Sequence, residues 1–343
     1  MEIKGLNNTA VCYANVIEDE AVRQIQRICD QEFTAGSRIR IMPDVHVGKG
    51  CTIGTTMTVT DKIVPNLVGV DIGCGMYTVS LGTQEIDLAR FDEACHFVPS
   101  GKNAWEGRME RFDLTRLRCY RALSRTKWIE KSLGTLGGGN HFIEIDRAED
   151  GGQYLVIHTG SRNLGKQVAE YYQNLAAELH QGKEEYFRKK DALIAEYKAA
   201  GRRREIESAL KELHWKHKEL LIPEDLCWLY GSWMEDYLHD VEICQEFALR
   251  NRELIGRILL ERTGIAGTDG FHTVHNYIDT RECLNLEDYR RAMEGIYTTS
   301  VNMETLDEAP FAYKSMEDIL PVIRETVDVL MVMKPVYNFK AAD

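Results

Sequence analysis

The stretch Asp71-Ile72-Gly73-Cys74-Gly75-Met76 governs the interpretation of this chain. It follows an apolar run, residues 63–70, whose composition predicts a buried strand. A carboxylate and a thiol stand three residues apart, and a glycine lies on each side of the cysteine. Glycines let the backbone approach a ligand closely and leave the two side chains free to converge. Oxygen and sulfur donors, joined by imidazoles, suit Zn, Mn, Fe or Co better than Mg or Ca, so the turn indicates a transition-metal site.

Three histidines lie in similar settings further along the chain. His141 follows a glycine-rich turn and enters an alternating strand, His158 ends a β-rich run, and His275 follows the short run 272–274. Any one of them, taken alone, is more typical of a structural histidine. Several at strand ends in one chain favour a shared site, because strand ends and their loops are where sites are assembled.

Longer motifs connect these residues. They are Met42-Pro43-Asp44-Val45-His46-Val47-Gly48-Lys49-Gly50, the stretch 68–76, Gly137-Gly138-Gly139-Asn140-His141-Phe142-Ile143-Glu144, His158-Thr159-Gly160-Ser161-Arg162, His275-Asn276-Tyr277 and residues 334–340. In this order they resemble the motifs of RtcB-type RNA ligases, and the resemblance extends over nearly the whole chain. It implies the distinctive fold of that family.

The resemblance also implies site residues and cofactors. In the family, Mn²⁺, here expected as two ions, is held by an Asp, a Cys and several His. The metal positions correspond to Asp71, Cys74, His141, His158 and His275, and the nucleotide positions to Asn140, Phe142, Glu144 and Lys340. Arg162 is a candidate phosphate ligand because it directly follows the His158 motif, with a surface arginine as the alternative. Asp44 and His46 are secondary candidates, with a structural loop pair as the alternative.

The family reaction supplies the expected function. GTP guanylates the enzyme, GMP passes to an RNA 3′-phosphate, and a 5′-hydroxyl then displaces GMP. The resemblance therefore implies a Mn- and GTP-dependent ligase that joins 3′-phosphate or 2′,3′-cyclic phosphate ends to 5′-hydroxyl ends in tRNA splicing or RNA repair. The implied partners are RNA with such ends, GTP and an activating archease-like protein.

One departure from the family limits this expectation. The family nucleophile is the His of a His-Gly-Ala-Gly-Arg motif, and this sequence contains no His-Gly pair. The chain passes from Cys283 almost directly to Asn285, where the family has a further block. Either the guanylation segment is lost, or the sequence omits a segment of the natural protein. Two alternatives to the ligase therefore stay open: a non-ligating relative that binds metal and RNA ends or nucleotide, and a metal-dependent phosphoesterase.

Composition bounds the remaining classes. Nine cysteines, an odd number with no Cys-x-x-Cys pair, argue against a disulfide framework and fit a reducing cytosol. The first residues lack the layout of a signal peptide, and no apolar run approaches the length of a membrane span, so a cytoplasmic protein without membrane contact is expected. The net charge of −12 argues against a general nucleic-acid coat. The arginine-rich stretch 108–131 is a candidate for local contact with RNA phosphates.

The periodicity of the 343 residues predicts an α+β protein. Residues 1–99 indicate short strands with one helix near 19–32, and alternation predicts strands within 52–61 and 76–81. From about 165 to 264 the period becomes helical, which indicates a helical hairpin inserted between strand motifs; a coiled-coil partner arm is the alternative. Candidate ligands lie on both sides of this insertion. The expectation is therefore one compact domain over residues 1–343, with mixed β-sheets around the metal site.

Overall fold

Two four-stranded sheets contain most of the strands in the described part of the chain. The computed structural model describes residues 1–278 apart from Lys49, Thr60, Lys216 and the side chain of Asp269. The strands are β1 (Glu2–Lys4), β2 (Thr9–Cys12), β3 (Ile39–His46), β4 (Ile53–Met57), β5 (Lys62–Ile63), β6 (Gly75–Gly82), β7 (Phe142–Arg147), β8 (Gln153–Thr159), β9 (Leu229–Tyr230) and β10 (Thr268–Val274). The α-helices are α1 (Asp19–Cys29), α2 (Pro65–Val68), α3 (Leu88–Phe97), α4 (Thr126–Lys131), α5 (Arg162–Glu178), α6 (Glu184–Ala199), α7 (Ile206–Glu212) and α8 (Gly231–Thr263).

The first sheet has the strand order β1-β2-β3-β4 and packs against α1. The parallel pair β2–β3 is connected through α1, which buries Ile25 and Ile28 at helical spacing against Ile39 and Ile41. Asp19 and Glu20 in the first turn of α1 favour its N-terminus through the helix dipole. The helix near 19–32 and the strand within 52–61 are thus confirmed.

The second sheet brings the candidate ligands together. Its order is β10-β6-β8-β7, and every neighbouring pair is antiparallel. In such a sheet the starts of β6 and β7 lie at the same edge as the ends of β8 and β10. The register places both Met76 and Phe142 opposite His158, and Gly75 opposite both Thr159 and Val274.

Helices α5 and α8 form the main core with one face of this sheet. Leu155 and Ile157 of β8 are fully buried with Val168 of α5 and Ile255 of α8. The helical stretch expected over about 165–264 corresponds to α5 through α8, with β9 between α7 and α8. Neither α6 nor α7 has a fully buried residue. In the described residues, no helix combines the length and apolarity needed to cross a membrane.

The α+β class is confirmed, but the segment before Asp71 differs from the expectation. Of the apolar run, only Ile63 lies in a strand, β5, and Pro65–Val68 form the short helix α2. Pro65 stands at the start of α2, where its fixed φ favours a helix and its missing N–H removes no hydrogen bond. The turn that carries Asp71 and Cys74 therefore connects a helix, not a buried strand, to β6.

Candidate metal centre

Four of the five predicted ligands lie at one edge of the second sheet, and Asp71 lies just before it. Cys74 directly precedes β6, His141 directly precedes β7, His158 is the second-last residue of β8, and His275 directly follows β10. The expectation that these residues lie at strand ends is met by their positions in the elements. Antiparallel pairing converts positions distant in sequence into one cluster.

The turn that carries Asp71 and Cys74 is hydrogen-bonded to residues 275–276 and packs against α8. The amide of His275 donates to the carbonyl of Cys74 at 2.7 Å, and the amide of Gly73 donates to the carbonyl of Asn276 at 2.8 Å. The side-chain amide of Asn276 donates in turn to the Asp71 carbonyl at 3.2 Å. Gly73 has a φ of +79°, and a Cβ there would lie 2.9 Å from the Cβ of Ala248 on α8. A glycine is therefore required at this position by both conformation and space.

The donor atoms are close enough to share a cation. The ligand atoms of Asp71, Cys74 and His141 all lie within 4.8 Å of one another. The Nε2 atom of His141 is 3.1 Å from Asp71 Oδ2 and 3.7 Å from Cys74 Sγ. The Nε2 atom of His158 is 3.4 Å from the same sulfur. The ring of His275 contacts that of His158, with 5.2 Å between centroids.

The hydrogen bonds on the far side of each ring determine which nitrogen faces the cluster with a lone pair. The Nδ1 of His141 lies 3.0 Å from the carbonyl of Leu136, and the Nδ1 of His158 lies 3.0 Å from the carbonyl of Asn140. A carbonyl only accepts, so each Nδ1 must donate, and in a neutral ring Nε2 is then an unprotonated acceptor. Two such nitrogens point at a thiol and a carboxylate. This arrangement, with the second nitrogen of each ring fixed by a backbone carbonyl, is typical of histidines that bind a metal.

A competing explanation without metal is an ion pair between a protonated His141 and Asp71. It would satisfy the 3.1 Å contact, because an imidazolium donates from both nitrogens. It does not account for the second imidazole beside Cys74 Sγ. The mixed oxygen, sulfur and nitrogen donor set therefore fits a transition metal better than an isolated ion pair.

Burial favours the neutral forms of the Cys74 thiol and the His158 ring. Cys74 is 5% exposed. Burial is the main cause that raises the pKa of its thiol, and the nearby Asp71 carboxylate raises it further. Burial likewise lowers the pKa of His158, which favours the neutral ring. A bound divalent cation would reverse the balance for the thiol, because a coordinating thiol is deprotonated.

Arg162 lies beside the centre at the start of α5. It has a φ of +60°, which is uncommon for a residue other than glycine. Its Nε donates to Thr135 Oγ1 and its Nη2 to the carbonyl of Gly101, both at 2.9 Å. Burial lowers the pKa of the guanidinium, and the Asp71 carboxylate opposes that shift. The structure therefore shows a half-buried arginine, not a surface one.

The predicted nucleotide residues divide into two groups. Phe142 and Glu144 lie at the start of β7, and Asn140 lies just before it, next to the metal cluster. The Phe142 ring is 5.1 Å from that of His158, and Glu144 is exposed, with a pKa raised by partial desolvation and by Asp146. Lys340 lies outside the described residues.

The secondary candidates lie apart from the cluster. Asp44 and His46 belong to the first sheet, where the ring of His46 hydrogen-bonds the carbonyl of Asp44 at 2.9 Å. Within the described residues, no hydrogen bond or ion pair joins them to the Cys74 cluster. In the arginine-rich stretch, Arg108 and Arg116 form ion pairs with Glu130 and Glu246.

Sequence reasoning missed three polar residues that support the centre from behind: Thr159, Asn251 and Arg252. Asn251 and Arg252 lie on α8 and are almost fully buried. The hydroxyl of Thr159 donates to the Leu136 carbonyl at 2.7 Å, beside the Nδ1 of His141. Helical spacing from Phe247 and Ala248 to Ile255 places Asn251 and Arg252 on the buried face of α8. This spacing was the feature of the sequence from which their burial could have been predicted.

The fold and the site together define a class of protein: an α+β protein with a candidate transition-metal centre of oxygen, sulfur and nitrogen donors at the edge of an antiparallel sheet. Comparison with known proteins then gives the family. A family model described as tRNA-splicing ligase RtcB matches residues 24–117 and 106–279, and the chain belongs to that family.

Curated relatives agree with the family match. The chain is 35% identical over 186 residues to RNA-splicing ligase RtcB of Escherichia coli (strain K12), an alignment that covers 47% of this chain and 45% of the relative. It is 30% identical over 210 residues to tRNA-splicing ligase RtcB of Archaeoglobus fulgidus, with 45% of this chain and 43% of the relative covered. The chain thus spans under half the length of these relatives.

Proposed function

We propose that this chain carries the metal and nucleotide centre of a Mn- and GTP-dependent RNA ligase. Its reaction would join RNA 3′-phosphate or 2′,3′-cyclic phosphate ends to 5′-hydroxyl ends, in tRNA splicing or RNA repair. The observation that carries the proposal is the convergence of the Asp71, Cys74 and His141 donor atoms, with His158 next to the same sulfur. The names of the curated relatives, which are RNA-splicing and tRNA-splicing ligases, support RNA as the substrate.

The metal ligands would hold a divalent cation at the place where a phosphate group reacts. A divalent cation held there supplies charge neutralisation for phosphate and lowers the pKa of a bound hydroxyl. Cys74 would bind as a thiolate, whose lone pairs suffice for two ions. Asp71 and His141 form one group with its sulfur, while His158 lies beside the same sulfur and the ring of His275 contacts that of His158.

The sheet geometry supports nucleotide binding beside the metal. Side chains alternate along a strand, so Phe142 and Glu144 of β7 share a face with His158, which pairs with Phe142. Two residues along a strand span about 7 Å, which brings Glu144 within the reach of a base whose phosphates lie at the metal. A carboxylate there would accept from the N1–H and N2–H₂ edge of guanine, a donor pattern that adenine lacks.

Arg162 would hold a phosphate oxygen at the same edge. Its left-handed backbone conformation costs on the order of 1–3 kcal/mol, and such strain is concentrated at functional sites. Its guanidinium is fixed by Thr135 and Gly101, so its position relative to His141 does not depend on a ligand.

A second candidate function has its own observation. The absence of any His-Gly pair removes the residue that accepts GMP in the family motif. A non-ligating relative that binds metal together with RNA ends or nucleotide would need no such residue. A phosphoesterase that uses the same metals is the third candidate.

One set of assays separates the three candidates. The full chain is incubated with Mn²⁺ and GTP, and then with RNA bearing a 3′-phosphate or cyclic phosphate and a 5′-hydroxyl. Joined RNA that disappears in Cys74→Ala, but persists in the control Cys95→Ala, supports the ligase. Mn-dependent binding of RNA ends without joining supports the non-ligating relative, and Mn-dependent release of phosphate from the cyclic-phosphate end supports the phosphoesterase. Cys95 is a free, half-buried cysteine on α3, which makes it a matched control.

A further inference from the structure

Arg252 presents an energetic problem that its helix does not explain. It is 1% exposed, and among the fully buried side chains of the described residues it has the largest volume. Within that part of the chain it forms no ion pair, and burial lowers the pKa of its guanidinium to about 10. An unpaired buried charge is expensive unless its hydrogen bonds and surroundings compensate it.

The compensation comes from the backbone of the metal centre. The Nη1 of Arg252 donates to the carbonyl of Gly73 and to the carbonyl of Thr159, both at 2.8 Å. Gly73 directly precedes Cys74, and Thr159 directly follows His158. One nitrogen thus bridges the two backbone segments whose side chains meet at a distance of 3.4 Å.

A third contact fixes the rotation of the guanidinium. Its Nε donates to the Nδ1 of His272 at 3.3 Å, and the Nε2 of His272 faces Glu253 at 3.3 Å. The His272 ring is stacked on that of Tyr77 at 4.3 Å. The side chain of Arg252 is therefore held by β10 as well as by α8.

Asn251 holds the remaining ligand loop in the same way. Its Oδ1 accepts from the amides of Gly134 at 2.7 Å and Thr135 at 3.1 Å, and its Nδ2 donates to the carbonyls of Thr135 and Gly160. These bonds fix the turn that leads to His141. Neighbouring residues on α8 therefore anchor the three chain segments that carry Cys74, His141 and His158.

The charge of Arg252 has the sign needed for an anionic ligand set. Cys74, Asp71 and Glu253 raise the pKa of its guanidinium against the effect of burial. The positive charge offsets the Asp71 carboxylate, and would also offset a Cys74 thiolate once a cation is bound, while the hydrogen bonds keep the two backbones at a fixed separation.

We propose that Arg252 is a positioning residue of the metal centre: by bridging the Gly73 and Thr159 carbonyls it sets the separation of Cys74 and His158, without itself binding metal or substrate. This inference rests on the proposed metal-binding function. Hydrogen-bonded partners behind metal ligands typically contribute tenfold to a hundredfold to metal affinity, and Arg252 is expected to act in that range.

The test compares Arg252→Met with the control Arg257→Met in the full chain. Arg257 lies on the same helix, but it is half exposed and pairs with Glu110. Co²⁺ binding is followed by the absorbance of the ligand field and of the thiolate-to-metal charge transfer, and folding by circular dichroism. We expect about tenfold or greater loss of Co²⁺ affinity and a changed spectrum in Arg252→Met, with Arg257→Met unchanged.

Three results would overturn the proposal or identify its basis. Unchanged affinity and spectrum in a folded Arg252→Met protein would show that the residue is only structural. If that variant does not fold, Arg252→Lys, which keeps the charge but not the planar fork, serves instead, and wild-type affinity and spectrum there would refute the bridging role. Unchanged Co²⁺ binding in Cys74→Ala would instead refute the metal centre itself, which separates failure of the proposed function from failure of the Arg252 role.

Discussion

Gly160→Ala should disable the metal centre through one side chain. A Cβ at position 160 would lie 2.2 Å from Asp71 Oδ1 and 2.7 Å from both Cγ and Oδ2. Contacts below 3.0 Å do not persist, so the carboxylate must move by about 0.8 Å or more. Gly160 does not have a positive φ, so alanine is compatible with its backbone and the fold should survive.

The expected loss follows from the tolerance of a metal site. Metal–ligand distances hold to about ±0.2 Å, so a shift several times larger removes Asp71 as a ligand or distorts its geometry. Affinity for Co²⁺ or Mn²⁺ should fall by about tenfold or more, which corresponds to ~1.4 kcal/mol. The assay is a metal titration against a competing chelator, with thermal unfolding measured in parallel. Gly107→Ala is the control, because a Cβ there meets no atom within 4 Å.

A double-mutant cycle with Asp71→Ala tests the stated cause. If the Cβ acts by displacing the carboxylate, Gly160→Ala should have little further effect on metal affinity once Asp71 is removed. Full additivity of the two substitutions, or wild-type affinity in Gly160→Ala alone, would refute the reasoning.

Three further predictions follow from the site. Cys74→Ala should lose most bound metal by elemental analysis while Cys95→Ala retains it, and equal metal content in both would remove Cys74 from the centre. This sequence should form no covalent GMP adduct with labelled GTP and Mn²⁺, because it has no His-Gly pair, whereas a natural protein that has the guanylation segment should label and ligate; label on any histidine of this sequence would contradict this. Calorimetric titration in Mn²⁺ should show weak binding that prefers GTP to ATP and is lost in Glu144→Ala but not in Asp146→Ala, and equal GTP and ATP binding would leave the guanine assignment without support.

The residue types and their local settings were accessible from the sequence. Cys74, His141, His158 and His275 could each be placed at a strand end, because glycines, polar turn residues and alternating runs have local causes. The helical stretch and the α+β class follow from periodicity in the same way. The exception was the run before Asp71, where Pro65 at a helix start outweighed the apolar composition.

Tertiary structure alone decided how those residues meet. Antiparallel pairing of β6, β7, β8 and β10 put ligands from four chain segments at one edge, and no local pattern specifies strand order. The carbonyls of Leu136 and Asn140 determine which nitrogen of each imidazole faces the cluster. Asn251 and Arg252 look like ordinary helix residues in the sequence, and their role exists only because α8 packs behind the ligand turns. Local propensities depend on neighbours in the chain, whereas a metal centre depends on atoms that only the completed fold brings within hydrogen-bonding distance.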